Sequence, residues 1–462
     1  MKDNILLKAK KEEKINDFLE EFDFNFFKNI DSANHIVFPQ ALEKKIKTLK
    51  SNLRDEDQVY FALKSTKSEK LIETIINNNC GLDVSTIQEL ELALKLGCKK
   101  ILAGGPKSSK YLQKALQKAT LISLDSFYEL DEIIKSNKKC NILIRVNDLE
   151  VFGRKIDPKK SKFGFSKKDI NKILDKVKPH KSNLNISGIH FHSDGYSPEQ
   201  KALFFNDIFE ILTTIKDNGH NISIIDLGGS FNDEILENPL EFEQYLMENM
   251  DKIKKQENSD FLNNQIYNLS FDNKTQTFKG INLTKNKGIK RNINQEIQEV
   301  YSTICKENLT FKDILEQTGL SLIIEPGFAL TTNCGLSIFS VQGVKEYDKD
   351  NLLILNGHKF NISANMFEPI ANPYFILLNE KTKRNLNLEK FFLAGSLCRE
   401  DDLFMSRQIL LPKEINKGDL VIFLNTGSYA MSYENCNPQR FQEAKYYYTI
   451  KNNSKWEIKE EK

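Results

Sequence analysis

A chain of 462 residues with 40% hydrophobic content can bury more than one core, which points to two or three domains. Its 66 lysines and arginines against 64 aspartates and glutamates leave a formal charge of +2, so no global field selects nucleic acid or an anionic membrane as a partner. The seven scattered cysteines never take the short spacings of a zinc site, and no stretch reads as a signal peptide or membrane span, so we expect a metal-free, reduced, cytoplasmic protein.

Residues 1–55 are expected to supply a helix or two and a strand, HIVFP, which stops at Pro39, to a β domain further along the chain. From 56 to 330 short apolar, β-branched-rich runs recur. They are VYFAL (59–63), GLDVS (81–85), KKILAG (99–104), LISLD (121–125), NILIRVN (141–147), ISGIHFH (186–192), ISIIDLGG (222–229) and SLIIEPG (321–327). Helical periodicity fills the gaps, as in SEKLIETIINNN and TIQELELALKLG. Eight strands alternating with helices predict a (β/α)8 TIM barrel, and the absence of Gly-x-Gly-x-x-Gly after the first run argues against an open doubly wound sheet. The stretch at about 250–312 exceeds what one crossover needs and is rich in Asn and Lys. It reads as an inserted loop, with a lid over the barrel mouth as the alternative. From 331 to 462, LLILNG, FFLAG, GDLVIFLN and AKYYYTI lack long helices between them and predict an all-β domain, a β-barrel or β-sandwich.

Side chains at the C-terminal ends of barrel strands converge on one mouth. This chain puts there Lys64, Asp83 with Ser85, Asp125, Arg145 with Asn147, His190 and His192, Asp226 with Gly228 and Gly229, and Glu325. A lysine following Phe61, Ala62 and Leu63 is costly to bury as a free cation, so it must be paired, deprotonated or used covalently. A desolvated lysine suits Schiff-base chemistry. Two glycines directly after an apolar strand let backbone N–H groups approach an oxygen anion.

The segments YFALKS, GLDVSTIQEL, KFGFS, GIHFH, DLGGS, EPG, GSLCRED and GSYAMS occur in the order and at roughly the spacing of the fold-type III pyridoxal-phosphate decarboxylases. The chain resembles that family, which includes diaminopimelate, ornithine and arginine decarboxylases, over nearly its whole length outside the insertion. The resemblance implies pyridoxal 5'-phosphate held by Lys64 as a Schiff base, with Glu325 keeping the pyridine nitrogen protonated and His192 stacked on the ring. It implies Gly228, Gly229 and Ser230 as the phosphate cradle and Tyr429 as a residue reaching phosphate or substrate. Asp83 and Arg145 then either orient Lys64 or fill the mouth as an ion pair. Cys398 matches a cysteine delivered across a homodimer interface as proton donor, and Glu400 or Asp402 could bind a substrate amine. The implied activity is decarboxylation of an amino acid, with basic, D-configured and carrier-linked substrates all open.

Several positions depart from the family. Phe328 stands where an arginine usually follows Glu-Pro-Gly, Ser230 replaces a third glycine, Ser193 and Asp194 follow His192, and Ser396 replaces a proline. SANMFEP lacks the arginine that grips a distal carboxylate in diaminopimelate decarboxylases. Two alternatives therefore stand beside the decarboxylase: a racemase on a related barrel, and a catalytically impaired relative acting as a binding or regulatory partner.

Overall fold

The computed structural model describes residues 7–461 except 29, 152–153, 156–160, 195, 256–269, 280–290, 348–349, 363–368, 379–386, 433–437 and 453–454. All eight apolar runs become parallel strands, at Gln58–Ala62, Gly81–Val84, Ile101–Ala103, Leu121–Leu124, Cys140–Arg145, Leu184–His190, Ile224–Asp226 and Ser321–Ile324. They pair in chain order and close, the eighth lying between the seventh and the first, which is the TIM barrel read from the sequence. Alternation along each strand splits the core in two. Tyr60, Leu102, Leu121, Leu143 and Ile323 form one apolar cluster, while their strand neighbours Phe61, Ile101, Ile122, Ile142 and Ile324 pack in the larger one with the helices.

Closure is pinned at the entry to the first strand. Asp57 is buried, pairs with Arg54 at 2.7 Å, bonds the Tyr301 hydroxyl and accepts the Leu322 N–H at 2.8 Å. One carboxylate thus ties the start of the barrel to its last strand.

The second body is a mixed sheet of nine strands. Asn34–Val37 lies inside it, antiparallel to Gly335–Tyr347 and parallel to Lys445–Asn452. The four C-terminal runs form strands at Asp350–Leu355, Leu388–Ala394, Leu420–Leu424 and Lys445–Asn452, and the sheet also includes Gly335–Tyr347, Tyr374–Ile376, Ile409–Pro412 and Lys455–Glu460. No helix among the described residues is long and apolar enough to cross a membrane.

The segment at 250–312 is not simply a loop. It carries the end of helix Pro239–Lys255, a hairpin of Ser270–Asp272 with Thr277–Lys279, and helix Ile293–Ser302. Ile293, Ile297, Val300 and Tyr301 recur at helical spacing and are buried, while Phe271 and Phe278 pack against a cluster of Leu7, Leu236 and Phe242. Apolar residues that looked sparse in the text are gathered by the fold onto single faces. The lid alternative falls largely on 256–269 and 280–290, outside the described residues.

One glycine of the barrel is set by close approach. A Cβ on Gly188 would meet the Ile224 carbonyl oxygen of the next strand at 1.9 Å, and backbone there cannot give way. Gly188→Ala should lower stability by about 1–3 kcal/mol or more, read as an earlier urea midpoint; an unshifted midpoint would mean that the two strands can part without cost.

Candidate active site

The first barrel strand ends at Ala62 and the chain enters a single 3-10 turn, Leu63–Ser65. Leu63 and Ser65 are buried on either side, and the turn presents Lys64 to the open mouth. The Ser65 hydroxyl donates to the Ala62 carbonyl at 2.8 Å. Its own carbonyl accepts from the Tyr429 N–H at 2.8 Å and the Ser432 hydroxyl at 3.0 Å. The β domain therefore clamps the turn that carries the lysine. The Tyr429 hydroxyl stands 2.9 Å from where a Cβ on Gly327 would lie, so the glycine of Glu-Pro-Gly makes room for it.

Burial pulls the Lys64 pKa down, but the charges of Asp83, Tyr429 and Glu325 outweigh it and leave the amine above an ordinary lysine. Its charge is held by the field of these neighbours, Asp83 first, and not by a direct ion pair among the described residues. Water still reaches it, so it is a half-enclosed charge rather than a buried ion pair.

Opposite stand three buried carboxyls, Asp83, Asp226 and Glu325. Burial pushes Asp226 up to about 8. Burial, then the neighbouring Asp226 and Asp83, raise Glu325 well above the usual carboxylate range, against Lys64 and Arg145. His190 joins them, its Nδ1 at 2.6 Å from the Ser123 hydroxyl and its Nε2 at 3.7 Å from Glu325 Oε1. Burial and then Arg145 push this histidine well below its usual range, so it stays neutral. Glu325 Oε1, Asp226 Oδ2 and His190 Nε2 meet no N–H or hydroxyl donor among the described residues; a proton shared between Asp226 and Glu325 is the one bond open between the two carboxyls. Buried polar atoms are rarely left so. Burial favours the protonated form of Asp226 and Glu325 in the protein without ligand, and a flat ligand bringing a positively charged N–H would let Glu325 ionise against it.

Arg145 and Asp83 do not form the ion pair considered above. Arg145 pairs with Asp125 at 3.5 Å and lies 4.5 Å over the Phe163 ring, while Asp83, raised chiefly by burial, is opposed first by Lys64. The charge of Asp83 is thus left to the lysine.

The glycine loop is bonded from within. The Gly228 N–H donates to Asp226 Oδ1 at 2.9 Å and the Gly229 N–H to His192 Nδ1 at 3.2 Å, so both amides expected to cradle phosphate are engaged within the site. Ser230 donates to Asp194 Oδ1 at 3.0 Å. His192 itself opens to the mouth. The surrounding protein atoms first, then the charges of Lys64, Arg145 and Lys201, lower its pKa, which favours the neutral ring even at this open position.

Cys398 and Glu400 are exposed in the β domain, where the Cys398 N–H donates to Gln439 at 3.0 Å. Neither has a described contact with the barrel mouth. Asp402 is not a substrate ligand in this arrangement. It is buried, and its two oxygens accept the backbone N–H groups of Lys359 at 2.9 Å and Leu397 at 2.8 Å, which makes it the brace of the loop that carries Cys398.

Two lysines escaped the sequence reading. Lys107 is buried and donates to the Gly105 and Ser123 carbonyls at 2.7 and 2.6 Å, with Glu129 at 3.3 Å. Lys201 lies under the glycine loop. Its signal was its spacing, since Lys201, Phe204, Phe205, Ile208 and Leu212 follow the buried face of helix Pro198–Asp217.

The family model described as "Pyridoxal-dependent decarboxylase, pyridoxal binding domain" matches residues 40–265. The uncharacterized protein y4yA of Sinorhizobium fredii is 26% identical, over 87% of this chain and 84% of its own. The diaminopimelate decarboxylase of Aquifex aeolicus is 23% identical, over 90% of this chain and 83% of its own. In structure, diaminopimelate decarboxylase from Helicobacter pylori complexed with L-lysine superposes with a TM-score of 0.67 at 17% identity, covering 95% of this chain and 96% of the other.

The raised carboxyls give the protein without ligand a pH signature. Asp226 holds its proton up to about 8 when folded, against 3.8 for an ordinary aspartate. The folded state therefore binds more protons than the unfolded one between those values, and stability falls as pH rises through that window. Asp226→Asn keeps an acceptor for the Gly228 N–H and should flatten this part of a melting-temperature profile; an equally steep profile in the variant would place the titration elsewhere.

Proposed function

Because this chain belongs to the fold-type III pyridoxal-phosphate-dependent decarboxylase family, we propose that it removes the α-carboxylate of an amino acid as CO2 and leaves the amine. Pyridoxal phosphate is the cofactor, and the residues fit it. The observation that carries the reading is Glu325 Oε1, a buried acceptor that meets no N–H or hydroxyl donor among the described residues, in the same mouth as Lys64. When bound, the protonated ring supplies an electron sink for the negative charge left on Cα as CO2 departs.

The protein's part is to hold and orient. Lys64 is the amine that would carry the cofactor covalently, and the charge of Asp83 keeps it in the mouth. Glu325 would accept the pyridine N–H, and because it stays deprotonated only opposite a cation, it and the ring nitrogen stabilise each other's charge. The neutral His192 offers a flat face against the ring. Arg145, anchored on Asp125, adds positive charge where a substrate carboxylate must first be bound. Cys398 would give a proton to Cα in place of the lost CO2, and Glu400 close by would take the side-chain amine of a basic substrate.

Borohydride reduction of the protein loaded with cofactor, followed by peptide mapping, should place the adduct on Lys64. CO2 release across L- and D-amino acids should rank basic or short-chain substrates above diaminopimelate, whose distal carboxylate finds no arginine in SANMFEP; residues 363–368 of that segment lie outside the described ones. Glu325→Gln should keep the adduct and slow CO2 release on the order of a hundredfold. An adduct on another lysine, or release indifferent to Glu325, would overturn the assignment.

The exposed Cys398 has described contacts in its own β domain, so a second copy of the chain is the natural way to bring its thiol to a mouth. Chains carrying Lys64→Ala and chains carrying Cys398→Ala, inactive apart, should recover part of the activity when mixed into heterodimers. Confirmed heterodimers without activity would mean that sites are not shared.

A further inference from the structure

Lys201 sits in the second turn of helix Pro198–Asp217 and is 1% exposed. Both circumstances disfavour a cation, because burial strips its water and the start of a helix carries partial positive charge. Its ammonium donates to the carbonyls of Gly229 at 2.7 Å and Ser230 at 2.8 Å, and lies 3.9 Å from the centre of the Phe231 ring. Among the described residues no carboxylate pairs with it. Glu296, on helix Ile293–Ser302, is engaged by the backbone N–H and side chain of Asn232 at 3.0 and 2.8 Å. Burial lowers the amine to about 8, with Glu296 and Asp194 holding it from falling further, so at neutral pH it is charged and lacks a close counter-ion.

The described chain has no cis peptide bonds, and in a trans peptide the N–H points away from the carbonyl. With the Gly229 and Ser230 carbonyls turned onto Lys201, the N–H groups of Ser230 and Phe231 face the opposite way. The ammonium polarises both peptide units and strengthens those donors. Neither N–H has a partner among the described residues. Ser230 has φ +59°, a left-handed conformation of the kind in which successive amides form an anion-binding concavity.

Resting on the cofactor reading above, we propose that Lys201 is the positioning residue of the phosphate site: it holds the glycine loop so that the Ser230 and Phe231 amides receive the phosphate, and it supplies from beneath the loop the positive charge that Phe328 does not. The phosphate cradle is thereby one step further along the chain than Gly228 and Gly229.

The test compares pyridoxal phosphate with unphosphorylated pyridoxal, each titrated into the apoprotein of wild type, Lys201→Met and Lys201→Gln, with apoprotein melting temperatures alongside. The preference for the phosphorylated form should fall about tenfold or more in Lys201→Met, while pyridoxal binding stays within about threefold. Lys201→Gln, which keeps a neutral donor for the carbonyls, should fall between, and it decides the matter if the Met variant does not fold. A preference unchanged in both variants, even with a lower melting temperature, makes Lys201 structural only and overturns this assignment while leaving the cofactor reading intact. Wild type that binds neither compound removes both.

Discussion

Three carboxyls and a lysine share the end of one closed barrel, and each is tolerable there only because of the others. Burial alone would keep Asp83, Asp226 and Glu325 protonated and strip Lys64 of its proton. Placed together, the negative charge of Asp83 and Glu325 holds Lys64 above an ordinary lysine, while Lys64 and Arg145 pull against the raised carboxyls. The balance is incomplete, since Glu325 Oε1 and Asp226 Oδ2 meet no N–H or hydroxyl donor among the described residues. An incomplete balance is the useful kind. A site fully satisfied by its own residues gains nothing from a ligand, whereas one short of a single charged donor recovers that donor's interaction on binding.

The second body exists, in this light, to hold the first at its most delicate point. Lys64 lies on one turn beyond a strand, and that turn's Ser65 carbonyl is bonded by Tyr429 and Ser432 of the β domain. A matching tie lies nearby, where Asp233 pairs with Lys45 of helix Pro39–Ser51 and accepts Asn333 Nδ2 at 2.9 Å. A side chain meant to react has to be exposed, and exposed turns move. Anchoring the turn's backbone while leaving its side chain in the mouth separates the two requirements.

What could be read from the sequence follows from how far each signal reaches. Strands buried on both faces leave short continuous apolar runs, and all eight barrel strands showed them. Gly335–Tyr347 pairs with three neighbours, but a register shift between Val341 and Gly343 breaks its alternation; Lys455–Glu460 is a charged edge strand, KWEIKE, with little apolar pattern to notice. The mouth residues could be placed because strand ends are ordered by the barrel. Their partners could not, because which oxygen meets which amide depends on ångström-scale geometry. Asp402 is the plain case: an acid beside a candidate catalytic cysteine looks like a substrate ligand until its two oxygens are found on backbone amides. Gly228 and Gly229 teach the same lesson, as nothing in the sequence signals that their amides reach Asp226 and His192.

The departures from the family gain sense when taken as a set. On the proposed phosphate site, Phe328 would withdraw a cation and Asp194 would add an anion, and either change alone would weaken the hold on a dianion. Ser230 links them: its hydroxyl goes to Asp194 at 3.0 Å, and its carbonyl to Lys201 at 2.8 Å. Asp194 therefore pulls on the side chain of the residue whose backbone Lys201 holds, and the two fix Ser230 from opposite sides in a left-handed conformation that a third glycine would enter and leave freely. Fixing it costs strain of about 1–3 kcal/mol, which a glycine would avoid, and an ammonium buried beneath the loop costs several kcal/mol more. Costs of that size for mere packing would be offset more cheaply by an apolar residue, so the charge beneath the loop and the strain within it are best explained by an anion above it.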